Sequence, residues 1–115
     1  MPPSTGTDVG RSSTVKQIQI LLPVADETGD RFPERIYADL RATLTAKFGG
    51  VTIFAQAPAE GLWVSDGAVC RDDIVIFEVM TDRVDRAWWS WLRADLERAM
   101  RQHEIVVRVQ EIERL

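Results

Sequence analysis

Four strand-like apolar runs alternate with two helix-period stripes in the order β-α-β-β-α-β. That order predicts an α+β sandwich, a four-stranded antiparallel sheet with two helices on one face in the ferredoxin-like arrangement. Two further observations agree. The chain has 115 residues, 45% apolar and 28% charged, enough core for one domain and too little for two. The run from Asp73 to Met80 is almost continuously apolar, as a central strand covered on both faces usually is. In the strand order expected for this topology, 4-1-3-2, the first and third strands are central.

Residues 1–14 are expected to form a disordered tail, because Pro2, Pro3, Ser4, Gly6, Gly10, Ser12 and Ser13 are coil formers with little to bury. Residues 15–115 form the single domain. From Val15, Ile18, Ile20 and Leu22 alternate with Gln17, Gln19 and Leu21 as in a half-buried strand, which Pro23 limits. An acidic loop, Asp26 to Arg31, leads to Pro33 and Glu34 at a helix start. Ile36, Leu40, Leu44 and Phe48 then form a helical stripe, and Gly49-Gly50 ends it where left-handed backbone angles cost little.

Val51 to Ala55 is a second strand, and Pro58 to Gly61 breaks it. Leu62 to Val64 either extends that strand or forms a short arm, and Asp66-Gly67 is a tight-turn signal. After the third strand, Asp82 or Asp85 caps a helix whose expected inward stripe is Trp88, Trp91, Leu92, Leu96 and Ala99, with Trp89 and Met100 on its shoulders. Ile105 to Ile112 is the last strand, with Ile105, Val107 and Val109 on one face and Val106, Arg108 and Gln110 on the other.

With Val75, Phe77 and Val79 turned toward the helices, Ile74, Ile76, Leu21 and Val106 fall on the other face, joined by Phe54 or Ile53 according to register. An apolar patch of that size predicts an interface, and two sheets packed about a twofold axis make a homodimer. The competing expectation is that the connection from Ala57 to Asp72 folds over this face of a monomer.

The balance of 14 basic against 18 acidic residues, a net charge of −4, argues against nucleic acid or an anionic membrane as partner. No apolar run approaches the roughly 20 residues that cross a bilayer, and Met1 to Thr14 lacks the hydrophobic core expected of a secretion signal. With a single cysteine, Cys70, there is no intramolecular disulfide. A cytoplasmic location is expected. One histidine and one cysteine leave few ligands for zinc or iron, so neither a metal nor a cofactor is expected, and the partners are a second copy and a small-molecule ligand.

Gln19, Glu78 and Arg108 share the helix-free face, and the predicted strand order puts Gln19 between the other two. Two roles are open for this row: Glu78 as a base with Arg108 binding an anionic substrate, or an ion pair fixing dimer register. Asp95 falls within the expected stripe of the second helix, either as a base in an aromatic-walled pocket or as a carboxylate meeting solvent or an arginine near the sheet edge. Trp63 and Trp89 are candidate ligand-contact residues, against core or edge packing. Asp72 and Asp73 point to opposite faces of a strand and do not ligate a metal together. His103 suits helix capping, and Cys70 has no activating neighbour in sequence.

The residues Phe48-Gly49-Gly50-Val51-Thr52, Glu60-Gly61-Leu62-Trp63, Gly67 and Asp72-Asp73 resemble small bacterial proteins of unknown function with an F-G-G-x-T…G-x-W signature. This resemblance implies a ferredoxin-like bacterial domain and brings no catalytic residue with it. RNA-recognition domains are set aside because the first strand has no aromatic residue and the net charge is negative. The leading expectation is a dimeric ligand-sensing or protein-interaction domain without catalysis. The alternative is a small cofactor-independent enzyme, isomerase or monooxygenase-like, with Glu78 or Asp95 as base.

Overall fold

The computed structural model describes residues 13–56, 64–65, 68–69 and 74–115. The element order is β1 (Ser13–Pro23), α1 (Glu34–Phe48), β2 (Thr52–Gln56), β3 (Val64–Ser65), β4 (Ala68–Val69), β5 (Ile74–Thr81), α2 (Arg86–Met100) and β6 (Val106–Arg114). Four strands form one antiparallel sheet in the order β2-β5-β1-β6. With the small β3-β4 pair set aside, this is the expected 4-1-3-2 order of a ferredoxin-like sandwich. Val64 pairs with Val69 and Ser65 with Ala68, leaving Asp66 and Gly67 between them in sequence, the spacing of a two-residue hairpin connection.

The first strand begins at Ser13, two residues earlier than its apolar pattern suggests. Ser13 and Thr14 pair with Arg114 and Glu113 because β6 also runs past Ile112. Backbone pairing extends both strands where neither has a side chain to bury, which hydrophobic alternation does not register.

Helix α1 starts after Pro33, whose φ of −60° suits a helix entry, and Glu34 places a carboxylate in the first turn. It stops at Gly49, which has φ 83° and donates its N–H to Thr45 O. Leu40 and Leu44 are buried, and Ile36, Tyr37 and Phe48 pack against the core from its margin. They meet Ile18, Ile20 and Leu22 of β1 and Phe77 and Val79 of β5, the alternate residues that the strand period turns toward the helices.

Helix α2 departs from the expected orientation. Its buried residues are Trp89, Leu92, Leu96 and Met100, whereas Trp91 is 54% exposed and Ala99 is exposed. Relative to the expected stripe of Trp88, Trp91, Leu92, Leu96 and Ala99, the inward face is rotated by roughly 70° at ~100° per residue. Three tryptophans in four residues make the apolar arc too wide to fix its own centre. Tertiary packing fixes it instead: the Trp89 ring stacks on Phe48 of α1 at 5.5 Å between centroids, with Trp88 edge-on to Trp89 at 4.9 Å. Lys47 Nζ lies 4.7 Å from the centre of the Trp88 ring, a cation–π contact. Asp85 rather than Asp82 is the N-cap, its side chain accepting from Trp88 N at 3.1 Å.

Candidate functional site

Antiparallel register brings together residues remote in sequence. Gln19 stands opposite Glu78 on one side and Arg108 on the other, while Thr52 stands opposite Glu78. One row therefore crosses all four strands of the main sheet on the face away from the helices, at about 4.8 Å per strand. The next row is Phe54, Ile76, Leu21 and Val106. That register decides the edge position in favour of Phe54; Ile53 stands opposite Phe77, whose side chain belongs to the helix-side core.

Within the row the side chains bond as a chain. Gln19 Nε2 donates to Glu78 Oε1 at 2.7 Å, and Arg108 Nε donates to Gln19 Oε1 at 2.8 Å. An amide suits this bridge between a cation and an anion, because it offers an acceptor at one end of its head and donors at the other. The two charges fix which way the Gln19 amide points. A parallel bond in the adjoining row, Gln110 Nε2 to Gln17 Oε1 at 2.6 Å, stiffens the same strand pair. Glu78 and Gln19 are half-buried and Arg108 is exposed. Glu78 Oε2 and both terminal nitrogens of Arg108 have no partner among the described residues.

The apolar surround is graded. Ile76 on the central strand is 1% exposed and Leu21 is half-buried, whereas Phe54, Met80 and Val106 are 38%, 47% and 46% exposed. The row thus offers a carboxylate and a guanidinium with hydrogen-bonding atoms that no described residue engages, bridged by one amide and bordered by exposed apolar side chains. Such a surface can bind an ionic or zwitterionic ligand, or a matching protein face.

Other candidates are placed differently. Asp95 is outside the inward stripe because of the rotated helix phase; its carboxylate is 53% exposed and pairs with Arg98 Nη2 at 3.3 Å. Trp89, expected at a pocket wall or contact, is 6% exposed and packs in the core, with its edge bordering the small cavity beside α2, while Trp91 takes the outer position. His103 is exposed and does not cap α2. Arg101 N and Gln102 N close the helix end on Arg98 O and Glu97 O. Trp63, Cys70, Asp72, Asp73, the Glu60-Gly61 and Asp66-Gly67 signals, the tail through Ser12 and the possible cover from the 57–72 connection lie outside the described residues.

Two concave regions accompany the sheet face. A wide groove at one end of the sheet runs along Leu21 to Glu27, with Arg31, Ile74, His103 and Val106 on its walls. The Asp26 carboxylate there is held below its ordinary pKa, chiefly by the Thr28 hydroxyl at 2.6 Å and further by the backbone N–H groups of Thr28 and Asp30, each at 2.9 Å. Tyr37 donates from its hydroxyl to Pro23 O, and burial raises its pKa, aided by the Glu34 charge. A smaller cavity, about 230 Å³, lies between α2 and β6 and is bordered by Arg86, Trp89, Ser90, Arg93 and Arg108. The Arg86, Ser90, Arg93 spacing on one helical face was its legible signal in the sequence. Among the described residues, no three His, Cys, Asp or Glu side chains are grouped to hold a metal ion, and no helix is long and apolar enough to cross a membrane.

Fold and face together define an α+β sandwich of ferredoxin-like arrangement with a polar row across its helix-free sheet. No protein-family model matches this chain, and no curated protein matches it. Among solved structures it is similar to a phage SAM lyase in its apo state, with TM-score 0.57 at 14% identity over 100% of this chain and 90% of the other. The phage SAM lyase in complex with S-methyl-5'-thioadenosine matches with TM-score 0.56 at 12% identity, over 94% of this chain and 88% of the other. At that identity the likeness is one of fold.

Proposed function

We propose that the chain is a small-molecule-sensing domain that acts as a homodimer, two copies packing their helix-free faces about a twofold axis. The Glu78–Gln19–Arg108 row then forms the polar part of a ligand site at the contact. The observation that carries this reading is the row itself: a carboxylate and a guanidinium, each with atoms left unbonded among the described residues, bridged by one amide. Exposed Phe54, Met80 and Val106 beside it supply the apolar area that a self-complementary contact buries.

A ligand suited to this row carries a cationic centre for Glu78 and a carboxylate for Arg108. S-adenosylmethionine has both, and the similarity of fold to a lyase bearing its name makes it and S-methyl-5'-thioadenosine the first ligands to test. A cytoplasmic, bacterial setting belongs to the same proposal, supported by the single cysteine and the F-G-G-x-T…G-x-W resemblance.

Light scattering at ~10 μM should give the dimer mass, and Phe54→Asp with Val106→Asp should give monomer. S-adenosylmethionine should raise the melting temperature of the parent chain and not of Glu78→Gln, since a ligand at about 100 times its Kd adds about 2.7 kcal/mol. A monomer in the parent chain refutes the assembly, and equal shifts in both proteins refute the site.

The fold similarity also favours a second reading, an enzyme that cleaves a sulfonium substrate with Glu78 as base. Glu78 takes a proton from the carbon next to the C–S carbon, a C=C bond forms, and the C–S electron pair leaves on sulfur as the neutral thioether. Release of S-methyl-5'-thioadenosine from S-adenosylmethionine, followed by chromatography and abolished by Glu78→Gln, would establish it. No release over hours, with binding retained, would eliminate it.

A further inference from the structure

The cavity between α2 and β6 combines features that the sheet-face row does not use. Arg86, Ser90 and Arg93 recur at four- and three-residue spacing, so α2 presents all three along one face. Opposite them stand Val107 and Val109 of β6, with Ile18, Val84 and Trp89 completing an apolar wall and Arg108 at the border. Among the described residues no carboxylate borders the cavity, although acidic residues outnumber basic ones 18 to 14 in the chain.

The arginines are also poorly matched by the protein itself. Arg86 has no ion-pair or hydrogen-bond partner among the described residues. The carboxylate paired with Arg93, Glu97, is 4.0 Å away, and the same Oε2 already accepts from Ile105 N at 3.0 Å. Arg108, at the border, turns its side chain to the other face of the sheet, where its Nε bonds Gln19.

We propose that this cavity is a second binding site, for a small organic anion. Its carboxylate or phosphate head lies between Arg86 and Arg93 with Ser90 as an added donor, and its short apolar body lies against Val107, Val109 and the Trp89 edge. Guanidinium groups bind such heads through paired N–H donors, and the apolar wall separates a substituted anion from a bare one. At about 230 Å³ the cavity falls below the roughly 300 Å³ at which drug-sized ligand pockets begin, which suits a single ring or a short branched chain. The cavity lies on the helix side of β6 and shares only Arg108, at its border, with the row proposed above; binding there does not depend on dimerisation.

The test uses benzoate, phenyl phosphate and the neutral isostere benzamide as probes, titrated into the full chain and followed by amide NMR shifts. Saturable binding of benzoate or phenyl phosphate is expected, at least about tenfold tighter than benzamide, with the largest shifts on α2 and β6. The tighter of the two anions identifies the head group. Arg86→Gln with Arg93→Gln should abolish the preference for the anion while leaving the melting temperature close to that of the parent, since both side chains lie at the surface. Equal binding of benzamide, a preference that survives the double substitution, or no saturable binding of either anion up to ~10 mM would each overturn the proposal.

Discussion

Replacing Trp89 and Trp91 by alanine separates the observed phase of α2 from the one its apolar stripe suggests. Trp89 is 6% exposed, so truncation removes most of a large aromatic area from the core and leaves a cavity facing Phe48. At ~25 cal/mol per Å² and a mid-range aromatic burial of about 200 Å², the transfer contribution alone is ~5 kcal/mol, an upper estimate because the unfolded chain is not fully extended. Measured tryptophan-to-alanine costs of about 3–5 kcal/mol set the expectation, equivalent to ~15–25 °C in melting temperature for a domain of this size.

Trp91 is 54% exposed, and solvent fills the space it leaves. Its removal is expected to cost about 1 kcal/mol. Urea unfolding followed by far-ultraviolet circular dichroism gives both values from midpoint and slope. Because a loss of ~4 kcal/mol can unfold a marginal domain, Trp89→Phe, which keeps a ring against Phe48, should be run in parallel and cost about 1–2 kcal/mol. A Trp91→Ala cost equal to or above that of Trp89→Ala would refute the assigned helix phase and the exclusion of Asp95 from the core.

Three further outcomes follow from local geometry. In a double-mutant cycle, Gln19→Ala and Glu78→Ala should couple by about 1 kcal/mol in unfolding free energy, and additive effects would remove the bridging role given to the Gln19 amide. Arg101 closes α2 with φ 52°, a left-handed angle that costs a side-chain-bearing residue more than glycine; Arg101→Gly should therefore raise stability by about 0.5–1 kcal/mol in the same urea titration, and a clear loss would contradict it. Because its native pKa is lowered, the Asp26 carboxylate stabilises the folded loop above the ordinary aspartate pKa, and this contribution fades as pH falls through that value toward the depressed one. Asp26→Asn should thus be less stable than the parent near neutrality and converge on it in acid, and a gap that stays constant with pH would show that the charge is not involved.

The row across the sheet was legible because strand period and strand order are both written in the sequence. Gln19, Glu78 and Arg108 each alternate away from residues that bury, and the β-α-β-β-α-β order places β1 between β5 and β6. Their direct bonding depended on register, which the sequence left open between Phe54 and Ile53 on the neighbouring strand. The anion-sized cavity was harder to anticipate, since Arg86, Ser90 and Arg93 look like an ordinary solvated helix face until β6 is laid against them.

Local chemistry along the chain determines where elements start, stop and turn: Pro33 and Gly49 bound α1, one of Asp82 and Asp85 caps α2, and alternation sorts β1 and β5 into two faces. These are effects of a few neighbouring residues, so sequence alone carries them. Which of three adjacent tryptophans enters the core is not local, because the helix is apolar over too wide an arc to choose. Stacking of Trp89 on Phe48, a residue 41 positions earlier, makes that choice and carries Asp95 out to solvent. Pairing likewise turned three separated polar residues into one bonded row, since hydrogen-bond geometry over a few ångströms exists only once strands are in register.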